Sequence, residues 1–372
     1  MGYPIIGSYR SILVILDYVK IIATMRNIIT FLGLFASFIG ILSGQSLELD
    51  WALQQKVEAG DIITLPNGNI ITGGFFVGTV DFDPGLNVFN LIGQGSERYI
   101  QVLDSAGDFL WAKKIAGRKR STIQTFGALA ADDSGNVYIA GVYQGSVDLD
   151  PGPGVFTVNG APQFSRSLFI LKLDRNGDFV YGKTINGQLA NNDVGEIESR
   201  VFIAVDDAGA VYVSGTFNNQ VDFDPGLRVE SRDIGALRGH FVLKLDSNGN
   251  FRWVNHRDVS LATSGRSNGE AIAVSDQNTI CAVGFYYPYL TNNVYDFDPG
   301  PGSLFPPGGA GFYIMTFDSS GNIKELSKTV KGGLGEAVGI NFISSQDLEL
   351  FKGSLADCED NSIVDNDNDG FN

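Results

Sequence analysis

The chain has few residues with which to build a metal or nucleophile site. Two His and two Cys in 372 residues leave no three-His zinc set, and Cys281 and Cys358 form no C-x-x-C pair. Two Cys cannot staple a chain of this length, so a disulfide scaffold is not expected. Cationic side chains are scarce as well. The 26 Lys and Arg stand against 42 Asp and Glu, a formal balance of −16, which argues against a phosphate-binding surface and so against a nucleic-acid partner. Charged residues make up only 18%, while Gly reaches 47. That pairing opposes a coiled coil and favours many short strands joined by turns. The hydrophobic fraction of 44% is that of a globular chain rather than a disordered one.

One long apolar run is present. Residues 28–42, IITFLGLFASFIGIL, carry no charge over 15 residues, short of the about 20 a membrane span takes but suited to the core of a signal peptide. Arg26 supplies the positive flank, and Ser43 and Gly44 precede Gln45 at a cleavage point. Residues 1–24 add an apolar stretch broken by Asp17 and Lys20, a long preamble that a translation start at Met25 would explain. The expectation is a targeting segment over 1–44. Retention as a membrane anchor through 28–42, or burial as a helix, are the alternatives.

An internal repeat organises the rest. VDFDPG at 80–85 returns as VDLDPG at 147–152, VDFDPG at 221–226 and YDFDPG at 295–300, with steps of 67, 74 and 74 residues between second Asp positions. A second marker runs in phase: VLDSAGD at 102–108, KLDRNGD at 172–178, KLDSNGN at 244–250 and TFDSSGN at 316–322. Each unit reads as four strands, which in the second are FGALAA, VYIAGVYQGSVDLD, SLFILKL and FVYGKTI. The D-x-x-G-[ND] segments between them suit a type I turn followed by Gly in the left-handed region. Four equal groups of strands with no helical period predict an all-β fold: a β-propeller of four-stranded antiparallel blades, with a sandwich as the alternative. Residues 46–57, SLELDWALQQKV, resemble a further outer strand, Trp51 matching Trp111, Tyr181 and Trp253. Residues 336–354 read as the first two strands of a partial fifth blade, which the N-terminal strand would complete and so hide its edges. The domains expected are 1–44, a propeller over 45–354 and an acidic tail over 355–372.

The strongest recurring chemical feature is D-[FL]-D-P-G. Its two acids lie two residues apart, about 6.6–6.8 Å along a strand and on one face, a superficial likeness to a glycosidase pair. Recurrence argues otherwise, because a catalytic pair is needed once. Asp81/Asp83, Asp148/Asp150, Asp222/Asp224 and Asp296/Asp298 read first as turn formers, since Asp accepts backbone N–H groups, Pro presets φ and Gly takes φ > 0. A cation site in each blade is the second reading.

Meander topology puts the long loops and blade connections on one edge and the tight Gly turns on the other. The candidate binding surface is therefore 84–97, 151–166, 225–239 and 299–310, with the connections 117–125 and 186–199. It includes Arg118, Lys119 and Arg120, a basic cluster suited to an anionic glycan or to solvent alone. His240 and His256 have no Ser or Cys motif beside them and predict no triad. No catalytic set is identified; Glu196 and Glu198 are the nearest acids confined to one unit. Cys281 aligns with Tyr138 and Tyr212, a buried position, and both thiols are expected to be separate and reduced.

The tail carries an ion motif. Asp365, Asp367 and Asp369 fall at positions 1, 3 and 5 of a calcium loop, Gly370 at its sharp turn and the Phe371 carbonyl at position 7. Asp357, Glu359 or Asp360 could add to a shell of six to eight oxygens, and oxygen-only ligands suit Ca²⁺ over zinc. An unliganded acidic tail is the alternative.

The units follow G-N-[VI]-Y-[IV]-x-G…VDFDPG and F-x-x-KLD-x-x-GN-x-x-W over roughly 46–354, and in this they resemble the bacterial secreted β-propeller repeats known as SBBP. The fourth unit departs, with TFD for KLD and Glu325 at the Trp position. The tail DCEDNSIVDNDNDGF is similar to thrombospondin type 3 and MopE-like metal-binding repeats. These resemblances imply an exported protein, secreted or at the cell surface of a Gram-negative, Bacteroidetes-like bacterium, and no established reaction. The expectation is a non-enzymatic propeller binding a protein or glycan through its long-loop face, with Ca²⁺ in the tail. A polysaccharide hydrolase or lyase and a membrane-anchored structural module are the alternatives.

Overall fold

Glycine placement sets the strand order. A computed structural model of the chain describes residues 57–328 apart from 94, 96, 116–121, 162–164, 188, 191–192, 236–237, 257–264, 276 and 289–310. In it the D-x-x-G turns close hairpins in one way. The Asp174 N–H donates to the Asp178 carbonyl at 2.8 Å and the Gly177 N–H returns to the Asp174 carbonyl at 2.9 Å. The Asp174 carboxylate accepts the N–H groups of Asn176 and Asp178 at 2.8 and 2.9 Å. Gly177 sits at φ +78°, where a Cβ is disfavoured. In the fourth unit Asn278 takes that place at φ +56°, Asn being the side chain that best tolerates it.

No helix occurs among the described residues. The first unit comprises β1 (Glu58–Thr64), β2 (Ile70–Phe76), a small hairpin β3 (Thr79–Asp81) and β4 (Asn90–Ile92), then β5 (Glu97–Leu103) and β6 (Phe109–Ile115). The second comprises β7 (Thr122–Ala131), β8 (Val137–Gln144), β9 (Ser146–Asp148), β10 (Thr157–Asn159), β11 (Ser167–Leu173) and β12 (Phe179–Gly187). A two-residue pair, β13 (Leu189–Ala190) and β14 (Asp193–Val194), follows. The third comprises β15 (Glu196–Val205), β16 (Val211–Asn218), β17 (Gln220–Asp222), β18 (Ser231–Asp233), β19 (Gly239–Leu245) and β20 (Phe251–His256). The fourth comprises β21 (Gly265–Val274), β22 (Ile280–Pro288), β23 (Gly311–Phe317) and β24 (Ile323–Lys328).

The result is four antiparallel meanders, β1-β2-β5-β6, β7-β8-β11-β12, β15-β16-β19-β20 and β21-β22-β23-β24. The small hairpin β17-β18 extends the second sheet by pairing with β12. The inner strands succeed one another, β1 packing on β7, β7 on β15 and β15 on β21. Strand alternation serves both neighbours at once. Ile139 and Phe169 join a core with Ile71 and Ile100 of the first sheet, whereas Tyr138, Ala140 and Leu168 face Phe217 and Phe241 of the third. That explains why β8 and β16 read as unbroken apolar runs.

Outer strands tie each sheet to the next. The Trp111 indole N–H of β6 donates to the Arg175 carbonyl in the β11–β12 turn at 3.0 Å. Trp253 of β20 does the same to Ser319 in the β23–β24 turn at 3.1 Å. A Cβ on Gly177 or Gly321 would come within 2.9 or 2.7 Å of those rings, so the glycine serves turn and contact together. Tyr181 of β12 lies against Gly249 in the same way, but its buried hydroxyl has no hydrogen-bond partner among the described residues.

The targeting segment 1–44 with Met25, the strand expected at 46–56, the segment 336–354, the basic cluster Arg118–Arg120, Cys358 and the tail 355–372 all lie outside the described residues. So do Asp296 and Asp298.

Candidate functional site

The D-[FL]-D-P-G motif builds a small hairpin that the strand reading had merged into the second strand. Gly78, Gly145 and Asn219, at φ +75°, +74° and +48°, kink the chain two residues ahead of the Val-Asp and start a new strand. Asp81 Oδ1 accepts the N–H groups of Asp83 and Phe89 at 3.1 and 2.8 Å, and Asp83 Oδ1 accepts that of Gly85 at 2.8 Å. Asp148 and Asp150 repeat this with Phe156 and Gly152, and Asp222 and Asp224 with Glu230 and Gly226. These six carboxylates therefore each hold a loop closed. The intervening residue is driven inward: Phe82, Leu149 and Phe223 are fully buried. Phe82 packs on Phe76 and Tyr99 at 5.3 and 4.9 Å between ring centroids, and Phe223 on Phe217 and Phe241 at 5.2 and 5.0 Å. Beyond the carboxylates the loop tips present Leu86, Val88, Val155, Leu227 and Val229 to solvent.

The charged candidates meet on the same edge. In β15 the register jumps between Ile197 and Val201, and in β21 between Gly269 and Ala271. Such bulges re-aim side chains, and here they carry Glu198, Arg200 and Glu270. Arg166, just before β11, holds Glu196 through Nη2 to Oε1 at 2.7 Å and Nε to Oε2 at 3.2 Å, and reaches Glu198 Oε2 at 3.2 Å. Arg238, just before β19, pairs its Nε with Glu198 Oε1 at 3.2 Å without hydrogen-bond alignment. Arg200 pairs with Glu270 at 3.3 Å, linking β15 to β21. Burial works to raise the Glu196 pKa, but the Arg166 hydrogen bonds and charge outweigh it and hold the carboxyl below its usual range. The two acids singled out in the sequence are thus brought together, as halves of ion pairs. In the first inner strand Asp61 follows a bulge too. It accepts N–H groups from Leu129 of β7 at 2.7 Å and from Ile62 at 2.8 Å, and burial raises its pKa.

His240 has partners that no local motif announced. Its Nε2 lies 2.8 Å from Ser214 Oγ and its Nδ1 2.7 Å from Tyr313 Oη, which also meets Ser267 Oγ at 2.7 Å. All four side chains are buried. Strand registers align them with Ala140, Leu168, Phe241 and Ile197 at the junction of the second and third sheets. One polar quartet at the third junction thus replaces an apolar one at the second. A Cβ on Gly269 would sit 2.8 Å from both His240 Cδ2 and Ser214 Oγ, so the imidazole rests against the β21 backbone. Sealed this way, the Ser–His pair joins two sheets and offers no surface to a substrate.

The two middle units share one more device. Lys172 and Lys244 lie over the Tyr138 and Tyr212 rings at 4.8 and 4.9 Å, and those hydroxyls donate to Asp132 and Asp206. Cys281, buried as expected, pairs across the sheet with Thr316 as Tyr212 does with Lys244. Loss of the ring in the fourth unit accompanies loss of the cation. Among the described residues no group of three or more His, Cys, Asp or Glu could hold a metal ion. No family model matches the chain, and no curated protein is similar to it in sequence.

Proposed function

We propose that the four sheets are blades of a β-propeller of the SBBP-like kind with a partial fifth, and that the protein is exported, non-enzymatic and binds a protein or glycan ligand through its long-loop edge. The succession of inner strands supports the propeller, since radial blades require that order. The observation that carries the binding reading is the cluster of Arg166, Glu196, Glu198, Arg200, Arg238 and Glu270, drawn from three sheets onto one edge. Mutually paired guanidinium and carboxylate groups present fixed donors and acceptors to hydroxyl or peptide groups. The exposed aliphatic tips from Leu86 to Val229 add apolar area on that edge.

Glycoside hydrolysis needs one acid of raised pKa. Glu196 is shifted the other way by Arg166, which favours binding over the hydrolase alternative. Export through residues 1–44 and Ca²⁺ on Asp365, Asp367, Asp369 and the Phe371 carbonyl complete the reading, the ion bracing an acidic tail that is otherwise self-repelling. A glycan array probed with the exported protein, alongside an assay for released reducing sugar, tests it. Binding without sugar release is expected, and sugar release would restore the enzyme.

A further inference from the structure

We propose that the Arg238 guanidinium, on the exposed side of the Arg–Glu cluster, binds a carboxylate, and that the glycan taken by this edge is one that carries uronic acid. The inference rests on the binding reading above and names the ligand class of that same site.

Burial sorts the cluster by sign. The Glu198 and Glu270 side chains keep 14% and 8% of their surface exposed, whereas those of Arg238 and Arg200 each keep 47%. The acids lie beneath and the guanidinium groups above, so the face offered to a ligand is cationic although the chain carries a formal −16. The two arginines that share Glu198 use their guanidinium groups differently. Arg166 turns its Nε–Nη2 edge onto Glu196, Nε donating to Oε2 at 3.2 Å and Nη2 to Oε1 at 2.7 Å, and is committed within the protein. Arg238 engages only its Nε, 3.2 Å from Glu198 Oε1. Its Nη1 and Nη2 make no hydrogen bond among the described residues. That edge, two parallel N–H groups in one plane, matches a carboxylate in a bidentate pair.

The acid beneath selects a sugar over an acidic peptide. Glu198 Oε1 is buried yet accepts no hydrogen bond, a costly state for a charged acceptor. A carboxylate that draws the Arg238 guanidinium outward opens Oε1 to a donor. A uronate ring carries its carboxylate and hydroxyl donors in one residue, whereas an ionised Asp or Glu side chain has acceptors only.

The mounting is rigid. The Arg238 carbonyl accepts the Ser267 N–H at 2.9 Å and the Arg166 carbonyl that of Ile197 at 3.0 Å, so each arginine starts where the next inner strand clasps its sheet. Glu198 meets Arg166 at Oε2 and Arg238 at Oε1, which fixes the spacing of the two guanidinium groups. Groups held this way need little ordering on association.

Calorimetry on the mature full chain at low salt tests the proposal. The probes are tetramers of galacturonic, glucuronic, mannuronic and guluronic acid, their methyl esters, neutral glucose and galactose tetramers, and polyglutamate. At least one uronate tetramer should bind, and its methyl ester, which keeps the hydroxyls but not the charge, should bind about tenfold or more weakly. Arg238→Lys keeps a cation beside Glu198 but loses the paired N–H groups, and should weaken the same uronate about tenfold. An ester or neutral tetramer bound as well as the acid overturns the proposal and leaves glycan binding standing. Polyglutamate bound as tightly as the uronate overturns the choice of a glycan. Full affinity in a natively folded Arg238→Lys overturns the role of the fork. Absence of heat with every uronate also overturns the proposal, and a glycan bound on the array at the same time shows that the wider reading survives it.

Discussion

The Trp111 indole N–H donates to the Arg175 carbonyl across the junction between the first and second sheets, at 3.0 Å. The equivalent residue at the next junction, Tyr181, keeps the packing but leaves its hydroxyl without a hydrogen-bond partner. Tyr181→Trp should therefore gain the bond to the Ser247 carbonyl and stabilise the fold by about 0.5–1.5 kcal/mol. Tyr181→Phe should be neutral or slightly stabilising, because it removes a buried group with no partner. Urea unfolding checks both, and a loss above about 1 kcal/mol in Tyr181→Phe would contradict the assignment.

At the third junction the prediction concerns replacement as a set. Tyr313→Phe alone strips partners from His240 and Ser267 and should cost about 1–3 kcal/mol. The fourfold change Ser214→Ala, His240→Leu, Tyr313→Phe and Ser267→Ile installs the apolar quartet of the second junction. It should recover most of that loss, since exchanging all partners for apolar groups of fitting shape is close to neutral. Thermal unfolding of the single and fourfold variants compares them.

The D-[FL]-D-P-G acids separate structural from ionic roles. Asp222→Ala removes acceptors for two backbone N–H groups and should cost about 1–2 kcal/mol, with the calcium heat unchanged. Asp367→Ala should abolish that heat and leave the melting temperature of the calcium-free protein unchanged. Calorimetry with and without calcium reads both.

Much of this was legible because it repeats. The strand groups, the Gly turns, the burial of Cys281 and the long-loop edge follow from residue types at a fixed period. The hairpin β3-β4 and its counterparts were not resolved from their parent strands, although Gly78, Gly145 and Asn219 marked the break. The His240 quartet was invisible for a different reason. Its members come from β16, β19, β21 and β23, and each looks unremarkable in its own strand. Only the register shows that four changes fall on one spot. Glu196 and Glu198 stood out as a pair, but their role depends on Arg166, some thirty residues earlier in sequence.

Acid stability should follow the turn carboxylates. Hydrogen bonds from Asp178 N–H and its neighbours hold Asp174 below its usual pKa, and those from Asn322 do so for Asp318. For Asp246 burial opposes ionisation, but bonds from Asn250 outweigh it. With folded values depressed, their stabilisation is complete above the unfolded value, about 3.9, and is lost as pH falls through the lower folded values. Asp61, raised by burial, contributes a slope of opposite sign. Asp174→Ala should lower the melting temperature at pH 7 and flatten its decline below about pH 4. An unchanged acid slope would contradict the assignment.

The most direct test of the binding account compares two charge reversals on a glycan array, each with a reducing-sugar assay. Arg238→Glu alters the long-loop edge and Arg175→Glu the tight-turn edge, and both side chains are exposed. The account predicts bound glycan with no sugar released, lost in Arg238→Glu and kept in Arg175→Glu. Sugar release, or loss of binding in Arg175→Glu alone, would contradict it.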